Sequence, residues 1–171
     1  MRMDSVDLCP VTTLLTRGGI FYGVPGSDKA SALIAAVDRM RLPENVSRDR
    51  VIEEILRREE IASTGIGDGI ALPHPQSTAT LQMPESILTL SFLEQPVDFD
   101  APDELPVRTL FVILSRDPGH HLRLLAHLSR ILQNAETRDA LSRQLPAAEI
   151  LAAFGRVETS LHVQPAPLGH M

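Results

Sequence analysis

An almost unbroken apolar run constrains the fold more than any other feature of the sequence. From Val107 to Ser115 the chain reads Val-Arg-Thr-Leu-Phe-Val-Ile-Leu-Ser, and its second half has no polar side chain before Ser115. A run of this kind is typical of a strand in a sheet that is covered on both faces. Other parts of the chain must therefore pack on each side of the sheet, and 43% hydrophobic residues are enough for such a core.

The periodicity of apolar residues predicts the remaining elements. Helical spacing predicts helices over residues 28–40, 48–60, 120–133, 136–145 and 147–154. Short apolar runs predict further strands at Ile20–Val24, Ile70–Leu72 and Ser86–Glu94, and the polar segment 95–106 is predicted to be a loop. Because helices and strands alternate along the chain, the predicted fold class is α/β.

The length of the chain, 171 residues, suits one ordinary domain. We predict that this domain covers residues 11–156, with an N-terminal extension over 1–10 and a flexible C-terminal tail over 157–171. The first ten residues lack the apolar core of a signal peptide. No stretch approaches the roughly 20 apolar residues of a membrane span. We therefore expect a cytoplasmic protein without membrane insertion.

The charge of the chain excludes one class of function and its cysteine content excludes one kind of cross-link. The formal net charge is −6, which argues against binding nucleic acid through a general basic surface. A local cluster of arginines, formed by Arg48, Arg50, Arg57 and Arg58, allows only a smaller basic patch. Cys9 is the single cysteine, so no internal disulfide can form.

A glycine-rich segment leads to a histidine between two prolines. The glycines of Gly65-Ile66-Gly67-Asp68-Gly69 free the backbone for a tight turn or for a phosphate cradle, but the segment lacks the lysine of a nucleotide-binding loop. His74 follows the predicted strand, and neutral imidazole can take up and release a phosphoryl group. The spacing of these residues alone favours a tight turn and a structural histidine.

Two further groups of residues are candidates for a site. His120 and His121 stand at the predicted start of an apolar helix, where free N–H groups favour an anion. Arg58 falls on nearly the same helical face as Val51, so its charge requires an anionic partner.

The other histidines are predicted to serve no site. His127, His162 and His170 are predicted to be surface or tail residues. We find no Cys–His or His–carboxylate spacing typical of a zinc site, so no metal site is predicted.

Four stretches of the chain resemble a known family. They are Arg57-Arg58-Glu59-Glu60, the long motif Ser63-Thr64-Gly65-Ile66-Gly67-Asp68-Gly69-Ile70-Ala71-Leu72-Pro73-His74, and Phe92-Leu93-Glu94-Gln95-Pro96-Val97-Asp98-Phe99, followed by His121-Leu122-Arg123-Leu124-Leu125-Ala126 in the expected order. Together they resemble the enzyme IIA domains of the fructose–mannitol class, which belong to the bacterial phosphoenolpyruvate-dependent phosphotransferase system. This class includes the nitrogen-regulatory enzyme IIA proteins.

The resemblance implies a fold and roles for particular residues. The implied fold is a single enzyme IIA domain with a mixed sheet flanked by helices. By similarity, His74 accepts the phosphoryl group, His121 is the second histidine of the site, and Arg58 approaches the phosphorylated ring. The loop with Thr64, Gly65, Gly67 and Gly69 is expected to surround the phosphoryl group, and no metal, nucleotide or other cofactor is required.

The resemblance also implies partners. The phosphoryl donor is expected to be the phosphocarrier protein HPr or its nitrogen-branch relative. The recipient is an enzyme IIB, or the protein regulates a transporter or kinase; the chain shows no IIB or IIC segment, which favours the regulatory role. Pro75, where the family often has glycine, removes an amide donor beside the histidine. Asp68, where asparagine is frequent, is expected to add a negative charge near the phosphoryl group.

Overall fold

The computed structural model describes residues 9–163. Its helices are α1 (Val11–Gly18), α2 (Lys29–Arg39), α3 (Arg48–Ile61), α4 (Pro118–Leu132), α5 (Ala135–Ser142) and α6 (Ala147–Val163). Its strands are β1 (Ile20–Val24), β2 (Gly65–Gly67), β3 (Ile70–Ala71), β4 (Ile87–Val97) and β5 (Val107–Leu114).

The strands form one mixed sheet in the order β1-β4-β5-β3-β2. The long strands β4 and β5 are antiparallel, with Leu90 opposite Phe111. Strand β1 runs parallel to β4, and β3 runs parallel to β5. Strand β2 closes the edge in an antiparallel pair with β3. The mixed sheet confirms the fold that the resemblance implied.

Strand β5 is buried on both faces, as its apolar run predicts. Phe111 and Ile113 lie in one core, while the alternate residues Leu110, Val112 and Leu114 lie in the other. Helices α1, α4, α5 and α6 supply the first core, and helices α2 and α3 supply the second. Alternation of side chains along a strand therefore produces two aliphatic layers, one on each side of the sheet.

Three sequence predictions differ from the structure in extent. Strand β4 continues to Val97, so it includes the start of the segment that was predicted to be a loop. Residues 65–67 of the glycine segment form an edge strand instead of a free loop. Residues 157–163 belong to helix α6 and not to a flexible tail, because Val157 and Glu158 are buried against the rest of the domain.

The ends of the chain are only partly described. The predicted extension over 1–10 is described for residues 9 and 10 alone, and the predicted tail beyond residue 163 lies outside the described residues. Over residues 9–163, none of the helices combines the length and the apolarity that crossing a bilayer requires.

Candidate functional site

His74 lies just beyond the carboxyl end of β3 and is held from both sides. The amide of Leu72 donates a hydrogen bond of 2.9 Å to the carbonyl of Thr64, and the amide of Ile113 on β5 donates one of 2.9 Å to the carbonyl of Pro73. The next residue, Pro75, is buried. Prolines fix their own backbone and restrict the residue before them. The backbone that carries His74 is therefore a rigid extension of the sheet.

A backbone hydrogen bond fixes the tautomer of His74. Its Nδ1 lies 2.8 Å from the carbonyl oxygen of Leu72. A carbonyl can only accept, so Nδ1 carries the proton and the lone pair of the neutral ring is on Nε2. Burial lowers the pKa of His74, and the charge of Arg58 lowers it further, against an opposing effect of the Leu72 hydrogen bond. At neutral pH the ring is therefore uncharged, with Nε2 as its nucleophilic atom.

His121 lies beside His74 at the start of α4. The ring centroids are 4.7 Å apart and the planes are inclined at 50°. Asp117 caps the helix by accepting a hydrogen bond of 2.8 Å from the amide of His120. Ser115 at the end of β5 places its Oγ 3.1 Å from Nδ1 of His121. Burial, together with repulsion from the Arg58 guanidinium and from the His74 ring when it is protonated, lowers the pKa of His121 to about 4, and burial is the largest of these causes.

Arg58 comes from the last turn of α3 and shares a groove with both histidines. Its guanidinium donates a hydrogen bond of 2.8 Å to the carbonyl of Ala62, the residue that ends the helix. The groove has a volume of about 540 Å³ and is lined by Arg58, Ile61, His74, Pro75, Gln76, Ser77, Thr78, Pro118, His121 and Leu122. The structure thus brings together the three residues that the resemblance singled out.

The glycine segment does not surround this groove. Gly65, Gly67 and Gly69 are absent from its lining; Gly65 packs against Ala101, and the carbonyl of Gly69 accepts hydrogen bonds from the start of β5. The expectation that these glycines surround a phosphoryl group is therefore wrong in geometry. Their role is local: Gly67 and Gly69 have positive φ, which the tight β2–β3 connection requires.

Thr64 and Asp68 are also displaced from their predicted place. Thr64 is buried and does not line the groove, and its amide donates a hydrogen bond of 3.0 Å to Glu59. Asp68 lies at the opposite end of β3 from His74, exposed and paired with Arg138 at 3.4 Å. The negative charge of Asp68 is therefore not close to the site, contrary to the sequence prediction.

Sequence reasoning missed the residues that orient the histidines. Glu59 is buried, binds Thr64, and lies 3.4 Å from Nζ of Lys29. Its negative charge favours the protonated form of His74, although burial outweighs this effect. Ser115 orients His121. Glu59 belongs to the segment Arg57-Arg58-Glu59-Glu60, but nothing in its spacing showed that its side chain turns inward.

One of the histidines predicted to be surface or tail residues, His127, is instead half-buried, whereas His162 is exposed as predicted. His127 and His162 come together around Glu158, with Nε2 of His127 2.7 Å from a carboxylate oxygen. Glu158 and His162 have i, i+4 spacing on one helix, which is a His–carboxylate spacing that the sequence prediction did not recognise.

The fold and the paired-histidine groove together match one family. The model of the phosphoenolpyruvate-dependent sugar phosphotransferase system, EIIA 2, matches residues 13–156. The chain therefore belongs to this family of phosphocarrier domains.

Similar proteins include both nitrogen-regulatory and sugar-specific members. A nitrogen regulatory protein of Pseudomonas aeruginosa is 38% identical over 142 residues, which cover 81% of this chain and 89% of that protein. A fructose-specific EIIA component of Haloferax volcanii is 35% identical, covering 81% of this chain and 88% of that protein.

Solved structures show the same fold. The nitrogen regulatory protein IIA-Ntr of Neisseria meningitidis superimposes with a TM-score of 0.70 at 26% identity, covering 86% of this chain and 96% of that one. The mannitol enzyme IIA of Escherichia coli, in its complex with phosphorylated enzyme IIB, gives a TM-score of 0.67 at 19% identity, covering 80% of this chain and 94% of that one.

Proposed function

We propose that this protein accepts a phosphoryl group from an HPr-type phosphohistidine onto Nε2 of His74. The observation that carries the proposal is the hydrogen bond from Nδ1 of His74 to the Leu72 carbonyl, because it leaves Nε2 unprotonated in a half-buried ring. The lowered pKa of His74 keeps that nitrogen available at neutral pH. A nucleophile of this kind requires no separate base.

The proposed phosphoryl transfer breaks one phosphorus–nitrogen bond and forms another, so it requires no cofactor. The lone pair of His74 Nε2 forms a bond to phosphorus while the phosphorus–nitrogen bond of the donor breaks, and its electron pair returns to the donor imidazole. Nδ1 of His74 keeps its proton throughout, because the Leu72 carbonyl holds it. The donor ring takes up the proton that it needs from its own surroundings.

The groove supplies the groups that stabilise a phosphoryl group on His74. Arg58 lines the same groove and can exchange its hydrogen bond with the Ala62 carbonyl for one to a phosphoryl oxygen. The start of α4 adds the positive end of a helix dipole. His121 is neutral, and in the tautomer in which its Nδ1 accepts from the Ser115 hydroxyl, its Nε2–H can donate to a phosphoryl oxygen. Such positioned donors and charges account for most of the catalysis in phosphoryl transfer.

A phosphotransfer assay tests this proposal. With radiolabelled phosphoenolpyruvate, enzyme I and HPr or its nitrogen-branch relative, we expect wild-type protein to be labelled through an acid-labile, alkali-stable bond. His74→Ala should remain unlabelled. His162→Ala, which removes an exposed histidine outside the groove, is the matched control and should be labelled like wild type. Equal labelling of His74→Ala and wild type would exclude His74 as the acceptor.

We further propose a regulatory role in the cytoplasm, with binding to a transporter or kinase that depends on the phosphorylation of His74. The 38% identity to the Pseudomonas aeruginosa nitrogen regulatory protein supports this role. Binding partners should differ between unphosphorylated protein and enzymatically phosphorylated protein in a pull-down. If the bound proteins are the same in both states, the regulatory proposal fails.

The second candidate is a sugar-specific enzyme IIA that passes its phosphoryl group to an enzyme IIB. The similarity to the fructose-specific EIIA component supports it, as does the mannitol IIA fold, which is seen with a phosphorylated IIB. Chasing the labelled protein with IIB proteins of candidate sugar systems distinguishes the roles. Rapid loss of label to one IIB supports sugar transport, and retention with every IIB supports regulation.

A further inference from the structure

We propose that His127, Glu158 and His162 bind a Zn²⁺ ion on a face of the domain outside the His74 groove. His127 comes from α4, whereas Glu158 and His162 come from successive turns of α6. One ligand atom from each residue lies within 4.8 Å of those of the other two. This inference is independent of the proposed phosphoryl transfer.

The donor set is one that zinc uses in proteins. Zinc binds imidazole nitrogen and carboxylate oxygen at about 2.0–2.2 Å, and sites with three protein ligands leave the fourth position to water. Tetrahedral geometry at that bond length requires neighbouring ligand atoms about 3.4 Å apart. His127 and Glu158 are already closer than this, at 2.7 Å. The exposed His162, whose ring centroid lies 5.8 Å from that of His127, can close the remaining gap by rotation.

Glu158 is oriented for ligation by the protein around it. Its side chain is almost fully buried, with the residue 5% exposed, and a carboxylate oxygen accepts a hydrogen bond of 2.8 Å from the amide of Val11 at the start of α1. A carboxylate fixed by an outer hydrogen bond is the usual arrangement of a metal ligand.

The position of the cluster indicates what the ion would do. The family match ends at residue 156, so Glu158 and His162 lie in the part of α6 that extends beyond it. A bound ion would join this extension to α4 and, through Glu158, to the start of α1. Zinc at this cluster is therefore expected to stabilise the fold without taking part in the chemistry at His74.

Zinc titration of the metal-free protein by calorimetry tests the site. Removing an outer-shell partner costs about 10–100-fold in affinity, so removing a ligand by His162→Ala should cost at least about tenfold. His162 is exposed, so this variant should fold. Two controls, His170→Ala and the double variant His74→Ala with His121→Ala, should keep the affinity of the wild type. Zinc should also raise the Tm of the wild type and of both controls, but not that of His162→Ala.

Two outcomes would overturn the proposal. In the first, wild type and His162→Ala bind zinc equally, or neither binds it. Either result would mean that the two histidines only neutralise the buried Glu158. In the second, the loss of affinity occurs in the double variant, which would place the ion between His74 and His121.

Discussion

Thr64 is bound twice by the buried carboxylate of Glu59, once through its amide and once through its hydroxyl. The carbonyl of Thr64 accepts from Leu72, and the carbonyl of Leu72 accepts from Nδ1 of His74. The end of helix α3 thereby determines, through two backbone links, which nitrogen of His74 is free.

Replacing Thr64 tests this arrangement. Thr64→Val removes one hydrogen bond to a buried carboxylate while keeping the shape, so we expect the free energy of unfolding to fall by about 1–3 kcal/mol. Labelling of His74 should slow, because Leu72 and the histidine ring lose part of their support. Thr64→Ser keeps the hydroxyl and should stay near wild type in both urea unfolding and labelling rate. Unchanged stability in Thr64→Val would mean that the hydroxyl contributes nothing.

The lowered pKa of His121 predicts how stability depends on pH. The pKa of His121 is about 4 in the folded protein, compared with 6.5 for an unperturbed histidine such as one in the unfolded chain. Between these values the unfolded chain binds a proton that the folded protein does not, so acidification favours unfolding. Stability from this group is complete above pH 6.5 and is lost as the pH falls from 6.5 towards 4. Urea unfolding of wild type and His121→Gln across this range should give a shallower decline for the variant; parallel curves would contradict the pKa.

Two exposed apolar side chains beside the groove are predicted to contact the phosphoryl donor. Ile61 is 64% exposed and Leu122 is 68% exposed, and both line the groove with His74. The double variant Ile61→Ala with Leu122→Ala should lower kcat/KM for phosphorylation by about tenfold, because exposed anchors act mainly in binding. Its Tm should change little. Leu105→Ala, which removes a side chain that is 51% exposed outside the groove lining, is the control and should keep wild-type kinetics.

Because Asp68 lies at the opposite end of β3 from His74, we predict that its negative charge does not affect phosphorylation. Asp68→Asn removes only an exposed ion pair with Arg138, worth about 0–1 kcal/mol. Labelling rate and Tm should therefore remain within error of wild type. A clear acceleration of labelling in the variant would restore the original expectation that this carboxylate opposes the phosphoryl group.

The elements of the fold were predictable because each depends on a local pattern. The apolar run of β5 indicates a strand that is buried on both faces, and the helical spacing of α2 to α5 indicates one buried face on each helix. The pairing of the sheet is not local: β1 lies beside β4, although two helices and two strands separate them along the chain. No periodicity shows which strands become neighbours. The length of α6 was missed because its last turns are held by contacts with α1 and α4.

The site was predictable only in part for the same reason. His74, His121 and Arg58 were found through the resemblance, since composition and spacing alone favoured a structural histidine. The glycines were misplaced because the motif is continuous in sequence, while β3 separates its two ends in space. His127 and Glu158 come from different helices, so only contact in the folded chain reveals them.

The hydrogen bond between the Pro73 carbonyl and Ile113 has a consequence for the rate of the proposed phosphoryl transfer. In a carrier whose acceptor residue lies on a flexible segment, the acceptor can move between two partners that are bound at different places. In the proposed transfer the acceptor His74 is attached to the sheet, so the donor and the recipient must bind at the same groove one after the other. Each proposed transfer then requires a separate binding event, for which association rate constants of about 10⁵–10⁷ M⁻¹s⁻¹ are typical. Under this proposal, the fraction of the protein that is phosphorylated depends on the concentrations of the donor and the recipient.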